Sequence, residues 1–205
     1  MRKALRLLLG VLMVAGVALA ASSVYLYFAV ENGIFERDAD ELLMLRDNNE
    51  KGVRYWYDNQ VAWIRIYDTN IDYPVMQASN NEWYLTHDYR DNDSITGALF
   101  LDYRNASDFS DNTSLIYGHR TNGNLMLSDV AKYHDDEYFW QHMYGELVLK
   151  NRSYQLKAVR FEKISADSPL YRNLLYKTDE TFLLLSTCDR EIRSERDVLF
   201  LSVSQ

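Results

Sequence analysis

From Ala62 onward, short runs of aromatic and β-branched residues alternate with clusters of Asn, Asp, Gly and Ser. Runs of this kind, bounded by turn-forming residues, are typical of β-strands. Eight strands at these spacings predict a closed or nearly closed β-barrel, so the fold class is mainly β. The predicted strands are Ala62–Tyr67, Tyr73–Gln77, Ala98–Asp102, Ser114–Tyr117, Glu146–Lys150, Tyr154–Phe161, Phe182–Ser186 and Val198–Val203.

Helical patterns occupy other parts of the chain. Asn81–Leu85 and Asn124–His134 predict short helices between strands. Asp38–Tyr57 lacks proline and places leucines among charged residues, which is typical of an amphipathic helix. This helix either lies against the domain or spaces it from a membrane.

The first thirty residues combine a basic tip with a long uncharged run. Arg2, Lys3 and Arg6 precede 24 uncharged residues from Leu7 to Val30. A helix of that length spans roughly 36 Å, enough for a bilayer core of about 30 Å. A cleaved signal peptide is the alternative, because Ala18-Leu19-Ala20 resembles a cleavage site, but signal-peptide cores are shorter. The predicted order is a cytoplasmic tip (1–6), a transmembrane anchor (7–30), a helical spacer or N-terminal helix (31–60) and one exported domain (61–205).

Charge and cysteine content narrow the possible functions. Beyond the tip the chain holds 19 basic and 30 acidic residues, so we expect no nucleic-acid partner. A single cysteine excludes an intramolecular disulfide. The cysteine is either a small buried hydrophobic residue or a reactive nucleophile, and the number of cysteines does not decide between these two roles.

Two strand ends offer a thiol and an imidazole. Cys188 ends an apolar run that begins at Thr181, and His119 follows Leu115–Tyr117 and a glycine expected to permit a sharp turn. Arg196 opens the last strand, where it is either a surface charge or a donor to a developing negative charge. The remaining histidines, His87, His134 and His142, lie in polar segments and are expected to be solvated.

Several other chemistries are poorly supported. No cysteine pair, closely spaced histidine pair or dense carboxylate array suggests a metal, and no glycine loop suggests phosphate binding, so we expect no metal and no cofactor. A papain-like enzyme has its cysteine before its histidine, the reverse of the order here, and the local caspase signature is absent around Cys188.

At this point the motifs resemble those of the sortases, cysteine transpeptidases of Gram-positive bacteria, and specifically the class B branch. Leu185-Ser-Thr-Cys188 resembles the TLxTC nucleophile motif, with Leu184 where threonine is usual, and Tyr117-Gly-His119 resembles the histidine motif. Arg196 falls where the family keeps its catalytic arginine. The resemblance runs from about Asp38 to the C-terminus and includes Trp63–Ile66, Ile71–Gln77, Asn81–Leu85 and Gly97–Asn105.

The resemblance implies an eight-stranded sortase barrel with Cys188, His119 and Arg196 as catalytic residues. It implies that a secreted protein with a C-terminal sorting signal of the Thr-Gly type is cleaved and joined to an amine of a lipid II-type peptidoglycan precursor. The enzyme would be held in the cell membrane by one helix, with its domain outside. Positions that resemble groove residues of class B enzymes are Thr187, Ser186, Tyr117, Asn81, Leu85 and Tyr171.

Two alternatives remain open at this stage. One is a pilin-polymerising sortase that uses a pilin lysine amine, and the other is a non-catalytic, membrane-tethered binding module. The chain also departs from the class B pattern, because the connection Glu162–Glu180 is too short for the long helix that walls one side of the groove in that branch. Only Ser168–Leu175 is available there for a turn or a short helix.

Overall fold

The computed structural model describes residues 2–50, 55–121, 124–173, 181–188 and 194–204. Its strands are β1 (Gln60–Ile66), β2 (Asp72–Met76), β3 (Leu99–Leu101), β4 (Thr113–Tyr117), β5 (Tyr144–Val148), β6 (Ser153–Ser165), β7 (Phe182–Cys188) and β8 (Glu195–Ser204). These eight strands close into a barrel in the order β1-β2-β3-β4-β7-β8-β6-β5. The prediction of an eight-stranded barrel is therefore confirmed.

Two pairs of neighbouring strands, β2 with β3 and β4 with β7, are parallel, and the other pairs are antiparallel. The strand ends differ from the prediction mainly where pairing extends them. β6 continues past Phe161 to Ser165 because it pairs with β8 as far as Glu195. β7 reaches Cys188 for the same reason, since its last residue pairs with Arg196.

Buried apolar side chains, most of them from the strands, form the core. Trp63, Ile64 and Leu115 are at most 1% exposed. One cluster joins the barrel to the short helix α3 (Pro169–Asn173), since Leu170 packs with Leu184 and Phe200. Burial of a leucine side chain typically contributes about 1.5–3 kcal/mol, so Leu170 is a substantial attachment for so short a helix.

The first fifty residues form a single helix, α1 (Arg2–Glu50), where the sequence predicted two separate helices. Residues 55–57 are not helical, so the predicted end at Tyr57 was wrong, and 51–54 lie outside the described residues. Two compact units divide the chain, Met1–Arg37 and Asp38–Gln205.

The last turns of α1 pack within the second unit. Leu42 and Leu45 are buried, and the Asp38 carboxylate accepts hydrogen bonds from the Ser94 hydroxyl (2.7 Å) and the Ile95 amide (3.0 Å). This segment was predicted either to lie against the domain or to space it from a membrane, and the structure shows contact with the domain. Among the helices in the part of the chain that the structure describes, α1 included, none is both long enough and apolar enough to span a membrane.

Shorter helices occupy the connections. Two are of the 3₁₀ type, at Trp83–Leu85 and Ser128–His134, within the segments predicted to be helical. The sequence missed α2 (Asp136–Gln141), whose first turn is capped by the Asp135 carboxylate through the Tyr138 amide (2.8 Å). The helix α3 stands where only a turn or a short helix had room.

Candidate active site

The register of β4, β7 and β8 brings three candidate residues to one edge of the barrel. In the parallel pair β4/β7, Tyr117 lies opposite Ser186, and the Gly118 amide donates to the Ser186 carbonyl (3.2 Å). Two residues further along, the same register leads to His119 and Cys188. In the antiparallel pair β7/β8, Cys188 lies opposite Arg196. Because neighbouring strands are about 4.8 Å apart, the three backbones are adjacent.

An open groove of about 300 Å³ lies at this edge. Eight residues singled out from the sequence line it, and their roles stay predictions at this point. The side chain of Cys188 lies outside the described part of the structure, so its place is known from its backbone alone. The groove is lined by Asn81, Leu85, Phe100, Tyr117, Gly118, His119, Ala166, Tyr171, Ser186, Thr187 and Arg196.

His119 is oriented by a backbone carbonyl. Its Nε2 atom lies 2.8 Å from the oxygen of Leu85. A carbonyl oxygen only accepts hydrogen bonds, so Nε2 carries the proton whether the ring is neutral or charged. The Nδ1 atom is therefore the ring nitrogen that gains and loses a proton.

Gly97 is what allows the Leu85 carbonyl and His119 to approach each other. Its φ of +62° lies in the left-handed region, and a Cβ atom there would overlap the Tyr84 carbonyl and come within 3.2 Å of His119 Cδ2. The Ala98 amide then donates to the Tyr84 carbonyl (3.0 Å). The sequence does not predict this role, although Gly97 begins one of the segments that resemble the class B sequence.

Gly118 is required for packing, and the sharp turn expected there is not its explanation. A Cβ atom at this position would collide with the side chains of Leu99 and Leu127. The absence of a side chain at Gly118 thus lets these two leucines pack against its backbone, one residue before His119 in the chain.

The polar side chains beside Cys188 differ in their hydrogen bonding. The Ser186 hydroxyl is 2.9 Å from the Tyr171 hydroxyl. The Thr187 hydroxyl is buried and has no hydrogen-bond partner among the described residues. Arg196 donates from one guanidinium nitrogen to the Glu195 carbonyl (3.0 Å). Thr187 is therefore the neighbour with an unused donor and acceptor in the groove.

Below the groove, Asp102 is fully buried and accepts hydrogen bonds from Tyr117 (3.0 Å) and Asn81 (2.9 Å). Burial alone would raise the pKa of Asp102, but hydrogen bonds, foremost from the Arg104 guanidinium, outweigh it and hold that pKa below its usual value. Burial and the Asp102 carboxylate raise the pKa of Tyr117, so its hydroxyl remains a donor at neutral pH. Neither Asp102 nor Arg104 had been singled out as a candidate site residue.

The other three histidines lie outside the groove lining. His87 stacks on Trp83 with ring centres 3.7 Å apart. His134 and His142 each bond through Nδ1 to a carbonyl of the preceding turn, that of Ala131 and of Tyr138 respectively. All three therefore make local structural contacts.

The chain is similar to known proteins in both sequence and structure. The chain is 29% identical to sortase B of Listeria monocytogenes over an alignment of 195 positions, which covers 83% of this chain and 76% of that protein. Sortase B of B. anthracis in complex with AAEK1 matches with a TM-score of 0.60 at 27% identity, over 72% of this chain and 79% of that one. A Streptococcus pyogenes class B sortase involved in pilus biogenesis matches in fold, with a TM-score of 0.65 at 24% identity, over 80% and 97% of the two chains. No protein-family model matches.

The sortase B relatives and sortase B structures support a class B-like sortase. They indicate a cysteine transpeptidase, and the eight-stranded mixed barrel of this chain matches the sortase fold. The sortase has one cysteine, at position 188, which stands at the edge of the barrel beside the groove.

Proposed function

We propose that Cys188, His119 and Arg196 carry out transpeptidation at the groove. The observation that supports this most strongly is the strand register, which places Tyr117 opposite Ser186 and Cys188 opposite Arg196. A thiol, an imidazole and a guanidinium on adjacent strand ends are held by the sheet, which positions reacting groups better than loops do.

The first half of the reaction forms a thioester. The Cys188 sulfur attacks the threonine carbonyl of the sorting signal as the thiol proton passes to Nδ1 of His119, and the electrons of the C=O bond move to oxygen. The C–N bond then breaks as the carbonyl re-forms, and His119 gives the proton on Nδ1 to the leaving glycine amine. The acyl group stays on Cys188, and the C-terminal fragment leaves as a free amine.

The second half consumes the thioester. An acceptor amine attacks the same carbonyl carbon, His119 takes a proton from that amine, and the bond to sulfur breaks. The new amide leaves, and Cys188 and His119 return to their starting protonation. The hydrogen bond from Nε2 to Leu85 stays intact in both halves, so the ring does not need to turn.

Arg196 stabilises the negative oxygen in both tetrahedral species. Its guanidinium lines the groove next to the position of Cys188, and arginine stays charged at any working pH. Thr187 adds a second donor, since its buried hydroxyl has no other partner among the residues described. Removal of one such donor typically lowers turnover by about 10²–10³.

We further propose the substrates from the class B resemblance. The acyl donor is a secreted protein with a C-terminal sorting signal, bound along Asn81, Leu85, Tyr117, Tyr171 and Ser186. The acceptor is the amine of a lipid II-type peptidoglycan precursor. A pilin lysine is the second candidate, because one neighbour of the same fold is a sortase involved in pilus biogenesis. Offering both amines to the thioester and comparing product yields decides between them.

We also propose that residues 7–30 anchor the enzyme in the cell membrane with the catalytic domain outside. This rests on the sequence, in which a basic tip precedes 24 uncharged residues. Protease added to intact, wall-stripped cells should digest the domain. A domain that is protected there and digested after lysis would have the opposite topology.

The direct test of the proposed site is covalent labelling with a thiol-reactive probe. The purified protein should form an adduct at Cys188, and His119→Ala should slow its formation. Arg152→Ala, at an exposed arginine outside the groove lining, serves as the control and should label at the wild-type rate. Equal labelling rates in the wild type and in His119→Ala would show that the histidine does not activate the thiol.

A further inference from the structure

One wall of the groove is formed by Tyr171 from the five-residue helix α3. Five helical residues do not hold themselves together in water, because nucleation costs more than one turn of hydrogen bonds returns. Among the described residues, the carbonyls of Tyr171 and Arg172 also have no partner within the helix. Both facts mean that α3 needs outside contacts to keep Tyr171 in place.

Arg104 supplies these contacts from the loop after β3. One guanidinium nitrogen donates to the Arg172 carbonyl (2.6 Å), and another donates to the Tyr171 carbonyl (2.8 Å). Residues 104 and 171 are 67 positions apart in the chain. Arg104 thus ties the barrel to the exposed carbonyls of α3.

The same guanidinium is fixed from behind by Asp102. Nε of Arg104 donates to one carboxylate oxygen (2.8 Å) and a terminal nitrogen donates to the other (2.6 Å). Such two-pronged pairs restrict geometry as well as adding energy. The Asp102 carboxylate is fully buried, so it has no competing contact with water.

Asp102 also holds two other groove residues. It accepts from the Tyr117 hydroxyl and the Asn81 amide, while the other end of the Asn81 amide accepts from the Tyr103 backbone (3.0 Å). Tyr171 itself is held at two points, through its carbonyl by Arg104 and through its hydroxyl by Ser186. Three lining residues on separate elements are therefore positioned through one carboxylate and its arginine.

We propose that Asp102 and Arg104 are positioning residues that fix α3 as a wall of the substrate groove and thereby set the affinity for the sorting peptide. The pair supplies the carbonyls of Tyr171 and Arg172 with hydrogen-bond donors that the described residues of α3 do not provide. The assignment of the groove to a sorting peptide rests on the proposed function, whereas the support of α3 does not. No bond between this pair and Cys188, His119 or Arg196 is present among the contacts described.

The test compares Arg104→Ala and Arg104→Lys with Arg152→Ala. Lysine keeps the charge beside Asp102 but lacks the planar fork that reaches two carbonyls at once. Arg152 makes a similar contact elsewhere, because it donates to the Asp108 carbonyl (2.8 Å) and lies outside the groove lining. It therefore controls for the loss of an arginine that bridges two segments.

Two readouts are measured on each folded variant. Hydrogen–deuterium exchange of the free enzyme should be faster at 168–173 in both Arg104 variants and unchanged there in Arg152→Ala. With fluorogenic peptides that contain proline and a Thr–Gly bond, KM should rise about tenfold or more in Arg104→Ala, as expected for the loss of charge-assisted contacts. The kcat should stay within about threefold of the wild type, since the reacting groups are untouched.

The outcomes separate the two proposals. Wild-type exchange at 168–173 in both Arg104 variants would overturn the positioning role, whatever the activity. Faster exchange with an unchanged KM would show that α3 does not set peptide affinity, and would overturn the proposal that the pair shapes the groove for the peptide. If the wild-type enzyme cleaves none of the peptides, the proposed substrate is wrong, while the exchange data still decide whether Arg104 holds α3.

Discussion

Cys188 at the end of β7 lies directly opposite Arg196 at the start of β8. Because β8 also pairs with β6, where Arg196 lies opposite Ile164, the arginine backbone is held by strands on both sides. Arg190 and Arg193, the other arginines that follow the cysteine, lie outside the described residues. Among the arginines near Cys188 in the sequence, Arg196 is the one whose position the sheet defines.

Arg196→Ala should therefore lower turnover by about 10² or more, because it removes a donor to the tetrahedral oxygen. Arg196→Lys should restore only part of the activity, since a point charge on a different stem does not reproduce the planar fork. Arg193→Ala should change the rate by less than roughly tenfold. Steady-state rates on one sorting peptide decide this, and a large loss at Arg193 with normal activity at Arg196 would reverse the assignment.

Asp197, the next residue along β8, should be important for stability. Its side chain is 1% exposed and pairs with Arg120 (3.3 Å) and Lys163 (3.2 Å), so it ties the segment after His119 to β8. Asp197→Ala should lower the free energy of unfolding by about 1–3 kcal/mol. This loss of stability is smaller than that caused by removing one partner of a fully buried ion pair, because Arg120 and Lys163 can both turn toward water.

Lys163→Ala provides the comparison for Asp197, since the lysine is about half exposed and such pairs contribute about 1 kcal/mol or less. Urea unfolding of the three proteins measures the difference. If the free energy of unfolding fell more in Lys163→Ala than in Asp197→Ala, the contribution of Asp197 to stability would come mainly from the ion pair with Lys163 and not from its other buried contacts.

The enzyme should lose stability in alkaline solution partly through Tyr84. Burial raises the pKa of Tyr84 to about 12, whereas a tyrosine in an unfolded chain ionises near 10. The unfolded state therefore loses this proton first, and the contribution is complete below about pH 10 and is lost between about 10 and 12. Unfolding free energies across that range should fall less steeply in Tyr84→Phe, and an equal slope would exclude the contribution of this residue.

The strands of the barrel and the candidate cysteine and histidine could be predicted because their signals are local. Aromatic and β-branched runs between turn residues mark each strand, and Cys188 and His119 stand where such runs end. The parallel pairing of β4 with β7, which makes these two ends neighbours, has no such local signal.

Long-range contacts account for what the sequence analysis missed. Arg104 donates hydrogen bonds to the backbone carbonyls of residues 171 and 172, and contacts to backbone carbonyls cannot be predicted from the residue types involved. Gly118 was expected to make a turn, but its need arises from Leu99 and Leu127, which approach it in the folded core. The change from apolar to charged composition near residue 31 predicts a boundary there, whereas α1 continues across 31–37.

Cys188 is expected to carry the acyl group between donor and acceptor. Mass spectrometry of the enzyme mixed with a sorting peptide and then quenched in acid should show an adduct at Cys188, in which the acyl fragment that ends at threonine replaces the thiol hydrogen. In a second sample, an amine added before the quench should remove this adduct. Cys188→Ala should fold normally, since a small residue at a strand end costs little stability, and should show no such adduct. Cleavage of the peptide by folded Cys188→Ala, or by a wild-type enzyme that never carries the adduct, would contradict the account.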